Sequence, residues 1–105
     1  MDAHEFVLNW KVEKENLLSS FMDSGKTLVG KKISELQLTS QQLICMKEVL
    51  NLVLTDTMYG LLLGLDGEAL IGDTQHVYKI FDESGNLISK AGDIEGEAWQ
   101  QFHGE

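Results

Sequence analysis

The sequence predicts an α+β domain: two long helical segments, the second central and mostly buried, packed with a short antiparallel β-hairpin or meander and a C-terminal helix. Three observations favour this class. Apolar residues recur at helical intervals through residues 1–65, glycines and short apolar runs follow, and the last residues return to a helical pattern. The chain has 105 residues, no proline and no low-complexity linker, so we expect a single compact domain over residues 1–105.

The first helix is predicted to begin at Asp2, because Glu5 follows three positions later in the spacing of a capping box. Its apolar residues recur every three or four positions and are Phe6, Val7, Trp10, Leu17, Leu18 and Phe21. The helix should stop near residues 23–25, where Gly25 can adopt a left-handed conformation. The apolar stripe thins over residues 13–16, and a bend is expected there.

The second long helix has the clearest start signal in the chain. Thr39 and Gln42 have the spacing of a capping box, and Leu38 and Leu43 have that of a hydrophobic staple. Residues 26–37, by contrast, show no clear period, and we expect a packed loop there with one helical turn at most.

This second helix is apolar over most of its circumference, apart from a narrow polar stripe of Lys47, Glu48, Asn51 and Thr55. Such a helix usually lies in the core, so we expect it to be central and mostly buried, with a bend or restart at residues 55–57. Charged residues at this depth would be costly in a bilayer, which favours a core helix over a membrane span. Because the N-terminus also lacks the cationic start of a secretory signal, we expect a cytoplasmic protein.

A β-hairpin is predicted after the glycines at the end of this helix. Residues 69–71 would form a brief strand and residues 76–81 a longer one. The polar, glycine-containing segment 82–86 has the composition of a tight turn, and residues 87–89 would return as the antiparallel partner.

A short C-terminal helix is expected from Asp93, with Gly104 as its terminator. Its shared apolar face consists of Ile94, Ala98, Trp99 and Phe102. We expect Trp99 and Phe102 to be core residues for this reason, with apolar anchoring of a partner as the alternative.

The charge is distributed very unevenly along the chain. Residues 56–105 contain ten acids against Lys79 and Lys90, a net charge of −8, whereas residues 1–55 have a net charge of −1, and arginine is absent. A negative field of this kind repels nucleic acid and anionic membranes and attracts basic proteins. We therefore predict no direct nucleic-acid binding and no membrane association.

The sequence contains no recognisable catalytic or metal-binding motif. Gly25-Lys26-Thr27 lacks the upstream glycine of a phosphate-binding loop, and Cys45 is the only cysteine. The three histidines are scattered over different elements, and the oxygen-rich segment 82–86 has its glycine in the wrong place for a calcium loop. We predict no cofactor and no metal.

The acidic half therefore suggests a non-enzymatic binding protein that engages a basic protein partner. The most concrete version is an immunity- or antitoxin-like inhibitor of a toxin such as a nuclease, because negative charge would block the surface on which the toxin binds nucleic acid. The candidate partner-binding residues are Asp66, Glu68, Asp73, Asp82, Glu83, Asp93, Glu95 and Glu97.

Two other functions stay open, as does the oligomeric state. One is a small-molecule or metal-binding domain with a pocket between the hairpin and the central helix, in which Tyr59, His76 and Tyr78 would supply polar groups. The other is a small enzyme based on a pair of carboxylates. A purely solubilising role would also explain the acids.

Overall fold

A computed structural model describes residues 1–104 and shows a helical fold. Its four helices are α1 (Ala3–Phe21), α2 (Leu28–Glu35), α3 (Ser40–Leu65) and α4 (Asp93–Phe102). The β-structure of the described residues is confined to two isolated bridges, Ile71 with Thr74 and Phe81 with Leu87. The predicted α+β class, with its β-hairpin, is therefore wrong.

Helix α1 begins where the sequence predicts and continues without a break through residues 13–16. The Asp2 side chain caps it by accepting a hydrogen bond from the backbone N–H of Glu5, at 2.9 Å. In the gap of the apolar stripe at residues 13–16, Lys14 is buried although it is charged. Its side chain is buried, and its ammonium group lies 3.3 Å from the hydroxyl of Thr55 and 5.8 Å from the centre of the Phe102 ring.

Helix α2 occupies the segment for which a loop is predicted, so that prediction is wrong. The hydroxyl of Thr27 accepts from the backbone N–H of Gly30 at 3.0 Å and donates to the carbonyl of Ser20 at 3.0 Å. It thereby caps α2 and ties the start of this helix to the end of α1. Ile33 supplies the buried contact of α2, and the other apolar residues of the helix are exposed, which explains why the sequence shows no clear period.

Helix α3 confirms the predicted start but not the predicted bend or burial. Thr39 and Gln42 form a reciprocal capping box with bonds of 2.9 and 3.1 Å. The helix then runs unbroken for 26 residues, which corresponds to about 39 Å. Only Met58, Leu62 and Gly64 are buried, so the expectation of a mostly buried central helix is wrong. The physical reason is a shortage of partners: α1 covers one side, and the opposite side of the first two thirds of α3 faces solvent.

The predicted hairpin is reduced to its turn and one further backbone hydrogen bond, from the N–H of Ile88 to the carbonyl of Ile80 at 2.7 Å. The backbone N–H of Asp82 donates to the carbonyl of Asn86 at 3.0 Å, and Gly85 has a positive φ of 85°. Beyond this turn, the hydroxyl of Ser89 accepts from the N–H of Ile80 at 2.9 Å and donates to the carbonyl of Tyr78 at 3.0 Å. The hydroxyl of Ser89 therefore makes the two hydrogen bonds that the backbone of a partner strand would make, and the pairing of backbones ends there.

The core lies at one end of the molecule, where α1, the second half of α3 and α4 meet. Its buried residues are Ala3, Val7, Met58, Leu62, Ile88, Ile94, Ala98 and Phe102. The molecule is elongated, with extents of 47 × 29 × 28 Å and a radius of gyration of 16.2 Å. A compact chain of this length has a radius of about 13 Å. Residues 66–97, the acid-rich end, lie beside the core, because Asp66, Asp82 and Glu97 bond to α4 and to the start of α1. Helix α2 and the first half of α3 form the other end of the molecule.

Candidate functional site

Asp66 holds the fold together and is not available to a partner. It lies at the C-terminus of α3, is buried, and its Oδ2 accepts from the backbone N–H of Glu95 at 2.9 Å. The residue before α4 is Gly92, which has no side chain to cap the helix. The carboxylate of Asp66 therefore satisfies a free donor at the start of α4 from a distant part of the sequence.

Asp82 is likewise engaged inside the molecule. Its Oδ1 accepts from the backbone N–H groups of Ser84 and Asn86, each at 2.9 Å, and its Oδ2 lies 2.8 Å from the amino group of Met1. The hydrogen bond from the amino group of Met1, followed by those from Asn86, holds the pKa of Asp82 well below its ordinary value of 3.8. This carboxylate fixes the turn at residues 82–86 to the start of α1.

Glu97 is paired as well, but the pair lies on the surface. Its Oε2 is 2.9 Å from Nδ1 of His4 on α1. Glu97 and Asp93 on α4, together with Asp2 and His4 at the start of α1, line an open cavity of about 260 Å³. The helix packing of α1 on α4 therefore brings two of the eight predicted acids together with Asp2, which was not among them.

The remaining acids point outward. Glu68, Asp73, Glu83 and Asp93 are exposed and Glu95 is partly exposed. The acids that form ion pairs within residues 1–104 are Asp82, Glu97, Glu15 and Glu35. None of the five acids named above is among them. Glu83 lines a second open cavity, of about 460 Å³, together with Asp82 and apolar residues of α1 and the 80–88 segment. The acids thus surround the core end of the molecule and do not converge on one cleft.

The three polar groups of the alternative binding pocket do not meet in the described structure. Tyr59 packs its ring edge-on against His103, the residue after α4, with ring centres 4.5 Å apart, and its ring centre lies 6.3 Å from that of Trp99. His76 instead packs against Tyr78, with ring centres 5.6 Å apart. Among residues 1–104, no group of three or more His, Cys, Asp or Glu side chains is arranged to hold a metal ion.

Trp99 and Phe102, which the sequence places together in the core, have different environments. Phe102 is buried, whereas Trp99 is 57% exposed. Trp99 packs on one side against His103 and Tyr59, which leaves the rest of the indole open to solvent.

The outward side of α3 is an exposed surface that the sequence pattern did not predict. Its exposed residues include Cys45, Val49, Leu52 and Val53. By length and composition α3 is the one helix of the described chain that could cross a membrane, and 17% of its most apolar 18-residue stretch is buried. The sequence did contain an indication of this surface. Helices α1 and α4 each have a single apolar face, and two such faces cannot surround a helix that is apolar over most of its circumference.

No protein-family model, curated protein or solved structure matches this chain.

Proposed function

We propose that this protein is a non-catalytic, cytoplasmic binding protein that engages a basic protein partner through its acid-rich end. The observation that supports the proposal is the division of the eight candidate acids. Asp66, Asp82 and Glu97 are used within the fold, and the other five carry no ion-pair partner within residues 1–104. An immunity- or antitoxin-like inhibitor of a basic toxin is the most concrete form of this function.

The physical basis is long-range attraction. Carboxylates that are exposed and unpaired on one end of a molecule with a net charge of −9 generate a negative potential there. Such a potential raises the association rate with a cationic protein and competes with nucleic acid for the same basic surface. Trp99 is exposed on α4, the helix that also carries Asp93 and Glu95, and can therefore add apolar contact to the acidic surface.

The test uses the full-length chain as bait in an extract of its own cells. We expect it to recover a strongly basic protein whose dissociation constant rises steeply between low and moderate salt. A variant with Glu68→Gln, Asp73→Asn, Glu83→Gln and Asp93→Asn should lose most of this binding.

The matched control neutralises four exposed acids outside the acid-rich end: Glu13→Gln, Glu15→Gln, Glu35→Gln and Glu48→Gln. Both variants have the same net charge, so the control should retain binding if position matters. Equal loss of binding in the two variants, or a partner whose binding is insensitive to salt, would contradict the proposal.

A further inference from the structure

The outward face of α3 carries a regular apolar stripe. Its members Cys45, Val49 and Leu52 follow one another at spacings of four and three residues, which is the spacing of positions that meet a partner helix in a coiled coil, and the charged Asp56 ends the stripe four residues later. Val49 is 53% exposed, Leu52 is 62% exposed, and Val53 beside them is 53% exposed. Three apolar side chains in the middle of a helix are thus largely in water.

This stripe faces away from the rest of the molecule. Helix α1 packs on the side of α3 that carries Thr55, Met58 and Leu62. At 100° per residue, Val49 lies opposite Met58 on α3, and Leu52 lies about 60° from Thr55, at the edge of the covered side. The segment after α3 covers only its C-terminal end, where Gly64 packs against Ile71.

The amount of exposed surface is larger than a free monomer of this mass normally has. The chain exposes 7004 Å². A monomer of 11.7 kDa is expected to expose about 5,900 Å². The excess, about 1,100 Å², is comparable with the ~800 Å² that each partner buries in a stable interface of standard size.

A lipid bilayer is a poor occupant for this face. Helix α1 runs beside α3 at the level of the stripe and carries the exposed charges of Glu13 and Glu15. Insertion of α3 would bring these carboxylates, together with Asp56 of α3 itself, into the apolar layer. A protein surface with its own apolar stripe meets no such penalty.

We propose that the occupant is a second copy of this chain, with the two α3 helices packed antiparallel about a two-fold axis at Val49. In this register Val49 meets its own equivalent, and Cys45 of each copy faces Val53 of the other. Asp56 faces Gln42 of the other copy. A parallel pairing of the same stripe would instead place the two Asp56 carboxylates against each other, which is unfavourable.

Charge distribution also favours the antiparallel arrangement. The lysines of α2, Lys31 and Lys32, lie at the end of the molecule opposite the acid-rich segment that begins at Asp66. Antiparallel packing of α3 keeps the acidic ends of the two copies apart, whereas parallel packing would bring them together. Because each copy has a net charge of −9, some repulsion between copies remains, and moderate salt, which screens it, should strengthen the dimer.

The first experiment measures mass in solution by sedimentation equilibrium. We expect the wild-type chain to have twice its 11.7 kDa mass at micromolar concentration. Val49→Glu places an unpaired charge from each copy on the axis and should raise the dimer dissociation constant about 100-fold or more. The matched control is Val12→Glu, because Val12 is also a helical valine and is 51% exposed, but lies on α1.

The second experiment tests the register by oxidation in non-reducing conditions. Val53→Cys should give a covalent dimer through Cys45 of one copy and the new cysteine of the other, whereas Val53→Cys combined with Cys45→Ala should not. The wild-type chain should not cross-link, because the two Cys45 residues lie on either side of the axis.

Each contrary result overturns the proposal. If the wild-type chain stays monomeric at about 100 µM, a second copy is not the occupant. If it stays monomeric in water but binds phosphatidylcholine vesicles, the occupant is a lipid bilayer. A Val12→Glu variant that dissociates as readily as Val49→Glu shows that the dimer uses another face. Cross-linking of wild-type Cys45 to its own equivalent shows a parallel pairing.

Discussion

The carboxylate of Asp66 and the backbone N–H of Glu95 are joined by a 2.9 Å hydrogen bond that links the end of α3 to the start of α4. The two residues are 29 positions apart, and the whole connecting segment 66–92 runs between them. A side chain from one helix thus performs the capping role that a residue adjacent to α4 would ordinarily perform. Helix α4 also packs its face of Ile94, Ala98 and Phe102 into the core, so this bond and the packing act together at the start of the helix.

Replacing Asp66 should therefore lower the free energy of unfolding by more than the removal of a short polar side chain ordinarily does. Asp66→Ala leaves the part-buried N–H of Glu95 without its partner at the start of α4, for which we expect a loss of about 1 kcal/mol in the free energy of unfolding, as for the loss of other helix caps. Asp73→Ala is the control, because Asp73 is exposed, and it should change the stability by less than about 0.5 kcal/mol. Urea unfolding at neutral pH measures both, and similar losses in the two variants would refute the capping role.

The His4–Glu97 pair predicts a pH dependence of stability. The hydrogen bond and charge of Glu97 raise the pKa of His4 above its ordinary value of 6.5. A raised pKa in the folded state adds stability that is complete below pH 6.5 and is lost as pH rises through the folded pKa. Glu97→Gln should thus be less stable than the wild type at about pH 5.5 and equally stable at about pH 9.

The direct measurement for this pair is a titration of the His4 ring protons by NMR. The pKa of His4 should fall toward 6.5 in Glu97→Gln and stay raised in the control Glu83→Gln. A His4 pKa that is the same in wild type and Glu97→Gln would show that the ion pair does not form in solution.

Two helical glycines should respond to alanine in opposite directions. A Cβ on Gly30 would collide with the backbone carbonyl of Asp23, which cannot turn away as a side chain can, so Gly30→Ala should lose about 1–3 kcal/mol. A Cβ on Gly96 in α4 meets nothing within 4 Å, and Gly96→Ala should gain about 0.5–1 kcal/mol from helix propensity. Thermal unfolding of both variants checks the signs, and a gain in Gly30→Ala would contradict the close packing of α2 on the end of α1.

The aromatic residues of α4 provide a second contrast. Phe102→Ala empties a buried site beneath Lys11 and Lys14, and we expect a loss of about 3–5 kcal/mol. Trp99→Ala removes a side chain that is 57% exposed and should cost much less. If Trp99 anchors a partner, its replacement should instead weaken binding in the bait experiment, and urea unfolding separates the two effects.

Local signals predicted the ends of helices well. Asp2 and Thr39 were identified from residue types at fixed short spacing, and the structure confirms both caps because capping depends on neighbours in sequence. The start of α2 at Thr27 was missed although its cap bond to the N–H of Gly30 is equally local, because no Glu or Gln stands three residues after Thr27 and no clear apolar period follows it.

Burial was predicted poorly because it depends on which partner is available. The composition of α3 indicated a core helix, but only its C-terminal half finds apolar neighbours. Lys14 shows the converse, since a charged residue in the weak part of the α1 stripe is buried against Thr55 and Phe102. The same limit applies to the candidate acids. Asp66 is buried and Glu68 is exposed, yet nothing in the local sequence distinguishes the two.

The bare stripe on α3 also makes stability a matter of mass action. A chain that buries Val49 and Leu52 only against a second copy gains free energy each time two folded chains meet, so its melting temperature should rise with protein concentration. The acid-rich end is built on the same helix, and its presentation to a partner would then depend on how much of the protein the cell makes. Newly made chains that have not yet paired would be the ones most exposed to proteases and chaperones.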